Sequence, residues 1–565
     1  MPRSRRAWLR RGAAAGAAFV LLVAGYVAAT LPPRAVHLGV ALPPTVVLGA
    51  YHLHSTRSDG TGTPDDIAAA AARAGLRFIV LTDHGDATRP PDPPAYRHGV
   101  LVIDAVEVST SRGHVVALHL PGPAPYPLAG EPRDVVEDIH RLGGWAFIAH
   151  PDSPKAALRW SDFDVPYDGI EWLNADSEWR DETAGRLALT LARATFRGPE
   201  SVASLFARPA VTLARWDAEA RRRSVVGVGA LDAHAHGQPS GAGEGGGGWL
   251  GLPSYETMFR TVGQVVRLDA PLDGDAAHDA SRVLDALHLG HTYTVIRAFA
   301  DPGWLKFSAS RSGVSARMGD RLDAESTAST TFRANVPGAP DARITLLRDG
   351  RPVQTGAGTL SVDESEPGEY RVEVTYGDHG TPWLVSNPIY VGPAAAVTVA
   401  GESIIGMGPV VQALAAGGAW TVEHSPTSMA AMRIEGDALR FDYHLADLAS
   451  ASPFAALVSP AGGRDVREIT FVGRADRPMR LSLQVRRRGA GDAARWRRSV
   501  YLDATARVIR VPLGEFRPVA AGAGAPPAAG DIGSLLFVVD TLNTAPGARG
   551  TVWVSGVALD GPARP

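Results

Sequence analysis

Side chains that can bind metals follow two successive predicted strands near the start of the chain, and this pattern constrains the fold more than any other feature. Val46–Tyr51 is a short apolar, β-branched run that predicts a buried strand, and it leads into His52-Leu53-His54. Thr63-Pro64-Asp65-Asp66 predicts a helix start, with a hydroxyl N-cap, proline at the first helical position and acidic residues in the first turn. The next strand, Leu76–Leu81, leads into Asp83-His84. Parallel α/β folds place their chemistry just past such strand ends.

The same arrangement recurs further along the chain. His52 and His54 are two residues apart on an extended chain, so their side chains point the same way and can bind one ion, although an isolated pair of this kind also arises by chance. Further acidic or imidazole side chains end or follow predicted strands, namely Glu107, His150, Asp232, His234 and His236, and His114 opens another apolar run. The repeated order of strand, metal-binding residue and helix predicts a parallel β/α barrel with its site on one face.

Length and composition narrow the class of protein. A chain of 565 residues exceeds one ordinary domain, so we expect three or four. The formal net charge is −3 and no basic tract follows the N-terminus except Arg221–Arg223, so we expect no nucleic-acid partner. The chain has no cysteine, which leaves histidine, aspartate and glutamate to hold any metal.

The first 35 residues predict export or membrane anchoring. Five arginines precede the uncharged run Gly12–Pro33, which is long enough to span a bilayer with the N-terminus in the cytoplasm. Val27-Ala28-Ala29 offers a cleavage site, so signal peptide and uncleaved transmembrane anchor both stay open. Ser4–Arg10 resembles a twin-arginine signal, with an ordinary basic leader as the alternative. Either way, we expect the body of the protein to be extracytoplasmic, in the periplasm or at the cell surface.

These motifs resemble the PHP (polymerase and histidinol phosphatase) superfamily, over about Val46–Ala300. The family has an H-x-H motif, a downstream acid, a D-H pair, a glutamate, further histidines and a closing Asp-x-His pair. The matching ligand positions in this chain are His52, His54, Asp59, His84, Glu107, His114, His150, Asp232 and His234. Gly49–Ser55 and Gly113-His114 are similar to the carbaryl-hydrolase-like branch. The resemblance implies a distorted (β/α)7 barrel with two or three divalent ions, for which Zn, Mn, Fe and Co all stay open.

The resemblance also implies how the ligands are shared. A first ion would be held by His52, His54, Glu107 and Asp232. Glu107 would bridge to a second ion held by His114 and His150, and a third would lie among Asp59, His84 and His234. The residues expected to be catalytic are Glu107, Asp232 and His236. His236 and Asp83 are candidate proton donors or supports of the ligands, and for Asp83 the supporting role is favoured.

The sequence becomes β-rich after the predicted barrel. Short alternating runs separated by Asp-Gly and Pro-Gly turns predict a small β-sandwich over 301–393. Residues 394–565 resemble a galactose-binding-like jelly roll. Its aromatic residues would offer either a sugar-binding platform or, as favoured here, an apolar core: Trp420, Phe441, Tyr443, Phe454, Trp496, Tyr501 and Trp553. The predicted domains are therefore 1–35, 46–300, 301–393 and 394–565.

These features predict an exported, multinuclear metal-dependent hydrolase that uses a metal-activated water. A small-molecule phosphoester is the favoured substrate, and an amide, ester or carbamate is the alternative for the same site. A surface carbohydrate-binding protein with an inactive barrel is the alternative of another class, with glycan or cell-wall contact through the jelly roll. The region after Ala395 is expected to be separable from catalysis on small soluble esters.

Overall fold

The computed structural model describes residues 2–235, 253–323, 328–393, 420–447, 452–461, 466–489, 494–519, 524 and 528–560. The chain divides into two compact units. Unit 1 comprises Met1–Gly85, Pro90–Gly122 and Ile139–Val397, and unit 2 comprises Asp86–Arg89, Pro123–Asp138 and Thr398–Pro565. His236 and the predicted boundary at residue 394 lie outside the described residues.

The α-helices of the described residues are α1 (Pro2–Ala29), α2 (Pro64–Arg73), α3 (Pro132–Arg141), α4 (Ala175–Arg180), α5 (Ala184–Ala194), α6 (Gly198–Ala203), α7 (Ala210–Ala220), α8 (Tyr255–Thr261) and α9 (Ala276–His288). Short 3-10 turns lie at Leu513–Glu515 and Ala529–Asp531.

The strands of the first part of unit 1 are β1 (Val36–His37), β2 (Val46–Leu53), β3 (Phe78–Leu81), β4 (Ala95–Arg97), β5 (Val100–Asp104), β6 (Val106–Thr110), β7 (Gly113–Leu118), β8 (Trp145–Ile148), β9 (Gly169–Asn174), β10 (Val226–Ala230), β11 (Gly263–Arg267) and β12 (Thr292–Val295). Those that follow in unit 1 are β13 (Ala300–Asp301), β14 (Lys306–Arg311), β15 (Val314–Arg317), β16 (Arg321–Leu322), β17 (Thr330–Asn335), β18 (Arg343–Arg348), β19 (Arg351–Ala357), β20 (Thr359–Glu364), β21 (Gly368–Thr375), β22 (Leu384–Ser386) and β23 (Ile389–Val391).

Local sequence explains the first βαβ element. Strand β2 is buried along its whole length, as its apolar run predicts. Helix α2 begins with a capping box, in which Thr63 accepts a hydrogen bond from the Asp66 amide and the Asp66 carboxylate accepts one from the Thr63 amide. Gly75 follows the helix with a φ of 76°, a conformation that glycine adopts without strain. The chain then enters β3, which pairs with β2 in parallel.

The sheets around the predicted site are mixed. Strands β2, β3 and β5 pair in parallel, as do β8, β9 and β10. Strand β7 is antiparallel to both β6 and β8, so the all-parallel arrangement expected from the sequence is wrong here. Only Ser111 and Arg112 separate β6 from β7, whereas a parallel connection needs a dozen residues or more. Isolated parallel bridges, Leu53 with Ala233 and His84 with Glu107, join strand ends of the two sheets.

The strands that follow in unit 1 extend this architecture. One four-stranded antiparallel sheet has the order β15-β14-β17-β20. Strands β18, β19, β21, β22 and β23 belong instead to the sheet that contains β2, which they join through antiparallel pairing of β22 with β12. Residues 301–393 thus share a sheet with the α/β part, and the domain boundary at residue 300 stays a prediction.

Unit 2 is a β-rich unit with two sheets. Its strands are β24 (Thr421–His424), β25 (Met429–Glu435), β26 (Ala438–His444), β27 (Phe454–Pro460), β28 (Glu468–Ala475), β29 (Met479–Arg487), β30 (Arg495–Leu502), β31 (Arg507–Pro512), β32 (Arg517–Pro518), β33 (Ile532–Asp540) and β34 (Arg549–Asp560). The sheet orders are β24-β27-β33-β29-β30-β32 and β25-β26-β34-β28-β31, and side chains from both sheets form one apolar core. Trp420, Phe441, Tyr443 and Trp496 lie in that core, as the favoured interpretation predicts, whereas Phe454, Tyr501 and Trp553 are only partly buried.

Helix α1 contains the apolar N-terminal segment. Arg11–Ala29 is long and apolar enough to cross a membrane, by length and composition. Its large side chains, such as Phe19, Leu21 and Leu22, are about 70% exposed. An apolar surface of this extent on a helix is typical of a signal sequence or an anchor.

Candidate metal centre

The structure brings together all nine side chains that the sequence selects as metal ligands. They form four overlapping groups in which one donor atom from each residue lies within 4.8 Å of the others. The groups are His52, His54 and Asp232; His52, Glu107 and His150; His84, Glu107 and His114; and His54, Asp59, His84 and His234. The residues come from the ends of six different strands, so the fold, and not local sequence, assembles the cluster.

His52, His54 and Asp232 lie close together, with Glu107 beside the two imidazoles. Nε2 of His54 lies 3.1 Å from Nε2 of His52, 3.1 Å from Oδ1 of Asp232 and 3.3 Å from Oε2 of Glu107. Nε2 of His52 lies 3.2 Å from the same Glu107 oxygen and 3.5 Å from Asp232. Four donors at roughly 2.0–2.1 Å from one ion would lie about 3.3–3.4 Å apart. The donors of His52, His54 and Asp232, and likewise those of His52, His54 and Glu107, therefore have the spacing expected around one small divalent cation.

Glu107 lies at the centre of the cluster and is fully buried. Its Oε2 makes no hydrogen bond among the described residues, although His52 Nε2, His54 Nε2 and His84 Nδ1 lie 3.2–3.3 Å away. Its Oε1 lies 3.0 Å from Nδ1 of His114 and 2.7 Å from Nε2 of His150. An unsatisfied buried carboxylate oxygen is costly, and bound cations would remove that cost. The carboxylate thus fits a bridge between two ions.

A third group lies around Asp59 and is more open. Oδ2 of Asp59 is 3.2 Å from Nε2 of His234 and 3.7 Å from Nε2 of His84, and Oδ1 is 3.6 Å from Nδ1 of His54. The side chain of His84 is 26% exposed, whereas those of His52 and His54 are fully buried. This part of the cluster is therefore open to solvent.

Unusual backbone conformations aim several of these side chains. His52, His150 and Asp232 have φ values of 65°, 31° and 49°, which non-glycine residues rarely adopt. Each is at or just past the end of a strand. Such strain persists only where the surrounding structure enforces it, and it concentrates at functional sites.

Burial and the neighbouring charges shift the pKa values of the ligands in opposite directions. Burial alone would raise the pKa of Glu107, but the imidazoles of His52, His114 and His150 hold it well below its usual range. Burial alone would lower the pKa of His54, but the adjacent carboxylates of Asp232 and Glu107 raise it to about 10. The carboxylates of the cluster are therefore ionised at neutral pH, and their negative charge favours cations.

A buried carboxylate that the sequence analysis missed supports the ligands. Oε1 of Glu171, on β9, contacts Nδ1 of His52, and its Oε2 accepts hydrogen bonds from the His150 amide and from Asn174 Nδ2, both at 2.8 Å. A glutamate between Ile170 and Trp172 in the strand Gly169–Asn174 was the available signal. Metal-binding histidines commonly donate their other ring nitrogen to such a carboxylate.

Asp83 and Tyr255 hold the backbone around the ligands. Asp83 accepts hydrogen bonds from the Ser55 amide at 2.6 Å, the Ser55 hydroxyl at 2.7 Å and the Ser58 hydroxyl at 2.8 Å. The hydroxyl of Tyr255 lies 2.7 Å from the His54 carbonyl and 3.1 Å from the His234 carbonyl. These contacts favour a supporting role for Asp83.

Comparison with known proteins gives distant likenesses of structure. No protein-family model matches the sequence, and no curated protein is found as a relative. One similar solved structure, from Bacteroides vulgatus, is described as a two-domain protein containing a predicted PHP-like metal-dependent phosphoesterase; it is 15% identical, covers 63% of this chain and 99% of its own, and has a TM-score of 0.29.

Two further likenesses concern carbohydrate-binding modules. A family 11 module from Clostridium thermocellum is 17% identical over 26% of this chain and 89% of its own, with a TM-score of 0.21. The N-terminal cellulose-binding domain of a Cellulomonas fimi β-1,4-glucanase is 16% identical over 26% and 90%, with a TM-score of 0.18. At these TM-scores, none of the three likenesses carries an argument about function.

Proposed function

We propose that the chain is a metal-dependent hydrolase with a centre of two or three divalent ions. The observation that carries the proposal is the buried Glu107 carboxylate, with imidazole nitrogens within 3.3 Å of each of its oxygens. The first ion would be held by His52, His54, Glu107 and Asp232, since each carboxylate lies within 3.5 Å of both imidazoles. The second would be held by Glu107, His114 and His150, and the third by Asp59, His84 and His234. Ions bound there would supply an activated water and stabilise negative charge on the substrate.

The chain's own residues would orient the substrate and move protons. The Glu171 carboxylate would keep the proton of His52 on Nδ1, so that Nε2 offers its lone pair to the ion. His236 stays a candidate for proton transfer to a leaving group.

We propose a phosphoester as the substrate class because the positively charged side chain of Arg180 is attracted by the ligand carboxylates of Asp232 and Asp59. Burial alone would lower the pKa of the Arg180 guanidinium, but its pairing with Asp176 and attraction to Asp232 and Asp59 raise it. A guanidinium suits the charged oxygens of a phosphoryl group. An amide, ester or carbamate, which lacks this charge, is the alternative for the same centre.

A substrate panel on purified, metal-loaded protein tests both substrate classes. We expect metal-dependent cleavage of p-nitrophenyl phosphate, with Arg180→Met raising KM about tenfold and the matched surface variant Arg186→Met leaving it unchanged. Turnover confined to neutral esters or carbamates, unaffected by Arg180→Met, would favour the alternative. Elemental analysis gives the identity and number of the ions independently of turnover.

The barrel fold and the extracytoplasmic location are parts of the same proposal. The bridges Leu53–Ala233 and His84–Glu107 support closure of the strands into the distorted (β/α)7 barrel. Helix α1 supports a signal peptide or membrane anchor and an extracytoplasmic location. Cell fractionation with a C-terminal tag, combined with N-terminal sequencing, tests the location and distinguishes a cleaved leader from an anchor.

Glycan contact through unit 2 is a second candidate function. A cleft of about 470 Å³ is lined by polar side chains that include Asp442, His444, Asp476 and Arg477. Charged and hydroxyl-bearing groups around an open cleft suit the hydroxyls of a sugar. Binding on a glycan array that is lost in Arg477→Ala supports this function. Glycan binding without metal-dependent turnover would support the alternative of an inactive barrel.

A further inference from the structure

Two short segments from the N-terminal half of the chain fold with the C-terminal β-rich region. Unit 2 contains Asp86–Arg89 and Pro123–Asp138 in addition to Thr398–Pro565. Asp86 is two residues after His84, one of the proposed metal ligands. The chain therefore enters unit 2 directly after the metal centre.

The first turns of α3 are held by a buried cluster of opposite charges within unit 2. Arg480, on β29, has a fully buried side chain and binds the Asp138 carboxylate through Nε and Nη2, at 2.8 and 2.9 Å. It also donates to the Asp134 carbonyl at 2.8 Å. Arg498, on β30, binds Glu137 at 2.8 Å and pairs with Asp134. A buried guanidinium group without an anionic partner is strongly destabilising, so Arg480 and Arg498 require the carboxylates of α3 at these positions.

A second set of contacts holds the residues that precede α3. Asn543 donates two hydrogen bonds from Nδ2, to the carbonyls of Pro127 at 3.0 Å and Ala129 at 2.9 Å. Arg497 pairs with Glu131 at 3.2 Å. The segment Pro123–Asp138 is thus bound along its length by side chains of β29, β30 and the β33–β34 connection.

The held segment in turn binds the residues after His84. The Ala124 amide donates to the Ala87 carbonyl at 2.8 Å, and the Leu128 amide donates to the Asp86 carbonyl at 2.9 Å. Ala87 is 5% exposed and has a φ of 62°, so its strained conformation depends on these surroundings. On the other side of Asp86, the Gly85 amide donates to the Glu107 carbonyl at 3.0 Å.

We propose that Arg480, Arg498 and Asn543 are positioning residues for the metal centre, acting through Pro123–Asp138 and Asp86–Arg89 on His84. This inference rests on the proposed function, because it assigns His84 to the centre. The proposal is the opposite of the expectation that the region after Ala395 is separable from catalysis. Removing that region would leave Asp134, Glu137 and Asp138 without the arginine side chains that pair with them.

The experiment uses full-length protein in detergent and three variants. Arg480→Met removes the guanidinium from the cluster, and Asn543→Ala removes the two hydrogen bonds without leaving a buried charge. Arg486→Met is the matched control, because Arg486 is on the same strand and pairs with Glu423, on β24, at 2.9 Å. The measurements are hydrogen exchange at residues 86–89 and 123–131, Mn²⁺ and Zn²⁺ affinity by calorimetry, and KM and kcat with p-nitrophenyl phosphate.

We expect Arg480→Met and Asn543→Ala to accelerate exchange in both segments at least tenfold and to weaken binding of one ion at least tenfold. Arg480→Lys should restore part of the affinity, and Arg486→Met should change neither quantity. Unchanged exchange and ion affinity in Arg480→Met and Asn543→Ala would overturn the inference. Because exchange and ion affinity are measured without turnover, wild-type protein that binds ions but cleaves no phosphoester would reject the proposed activity and leave this inference standing.

Discussion

Nδ1 of His52 lies 2.5 Å from Oε1 of Glu171, and both side chains are fully buried. The other ring nitrogen of His52 faces Glu107 and Asp232. The carboxylate therefore fixes which nitrogen carries the proton and leaves the other available as a ligand. The same carboxylate accepts from the His150 amide, so it supports two ligands from different strands.

Glu171→Gln should weaken metal binding by about 10- to 100-fold, the usual effect of losing such a partner. A glutamine amide has one acceptor oxygen, so it cannot serve both His52 and the His150 amide. Calorimetric titration with Mn²⁺ or Zn²⁺ measures the change. Glu256→Gln, at a half-buried glutamate on α8, is the control and should bind like the wild type. Equal affinities in Glu171→Gln and wild type would contradict the role assigned to Glu171.

Glu107→Ala should lose at least one ion and abolish turnover, because both oxygens of this carboxylate face imidazole ligands. Chelation should lower the stability of the wild type by about 2.7 kcal/mol if the free ion had been at 100 times its dissociation constant. The variant should show a much smaller change on chelation. Elemental analysis and thermal melting with and without chelator measure both effects, with His98→Ala as an exposed-histidine control. Full metal content in Glu107→Ala would remove Glu107 from the centre.

Gly60→Ala should distort the metal centre, although it adds only one methyl group and no charge. A Cβ at this position would lie 2.1 Å from the His54 carbonyl oxygen, so the backbone between His54 and Asp59 must shift. We expect reduced ion content and at least tenfold lower activity. Gly185→Ala is the matched control, because a Cβ there meets nothing within 4 Å and alanine favours the helix by roughly 0.5–1 kcal/mol. A Gly60→Ala protein with normal ion content would show that this turn tolerates movement.

Glu178 should make stability depend on pH. Burial, and then the nearby carboxylates of Asp152, Asp181 and Glu182, raise its pKa to about 7. Because the folded protein holds this proton more tightly than the unfolded chain, its contribution is fully present below about pH 4.5 and is lost as the pH rises towards 7. Glu178→Gln should therefore melt at a higher temperature than the wild type at pH 8 and at a similar temperature at pH 5. The same difference in melting temperature between Glu178→Gln and wild type at pH 5 and at pH 8 would contradict the raised pKa of Glu178.

The sequence predicted those parts of the site that follow from local patterns. Ligands at strand ends, such as His52 and His150, could be selected because an apolar run followed by imidazole is visible along the chain. Glu171 could not, because its role depends on pairing of β8 with β9, which brings distant residues together. The reversed direction of β7 was missed because the repeated strand–helix pattern outweighed the two-residue turn before Gly113. Arg480 was missed because nothing in a β-rich sequence indicates a partner more than 340 residues away.

The left-handed backbone at His52, His150 and Asp232 has a consequence for protein design. Grafting the nine side chains onto regular strands of another scaffold would aim three of them in the wrong direction. A host must also reproduce these local bends, each of which costs roughly 1–3 kcal/mol during folding. An ion that arrives after folding then meets donors already set in place.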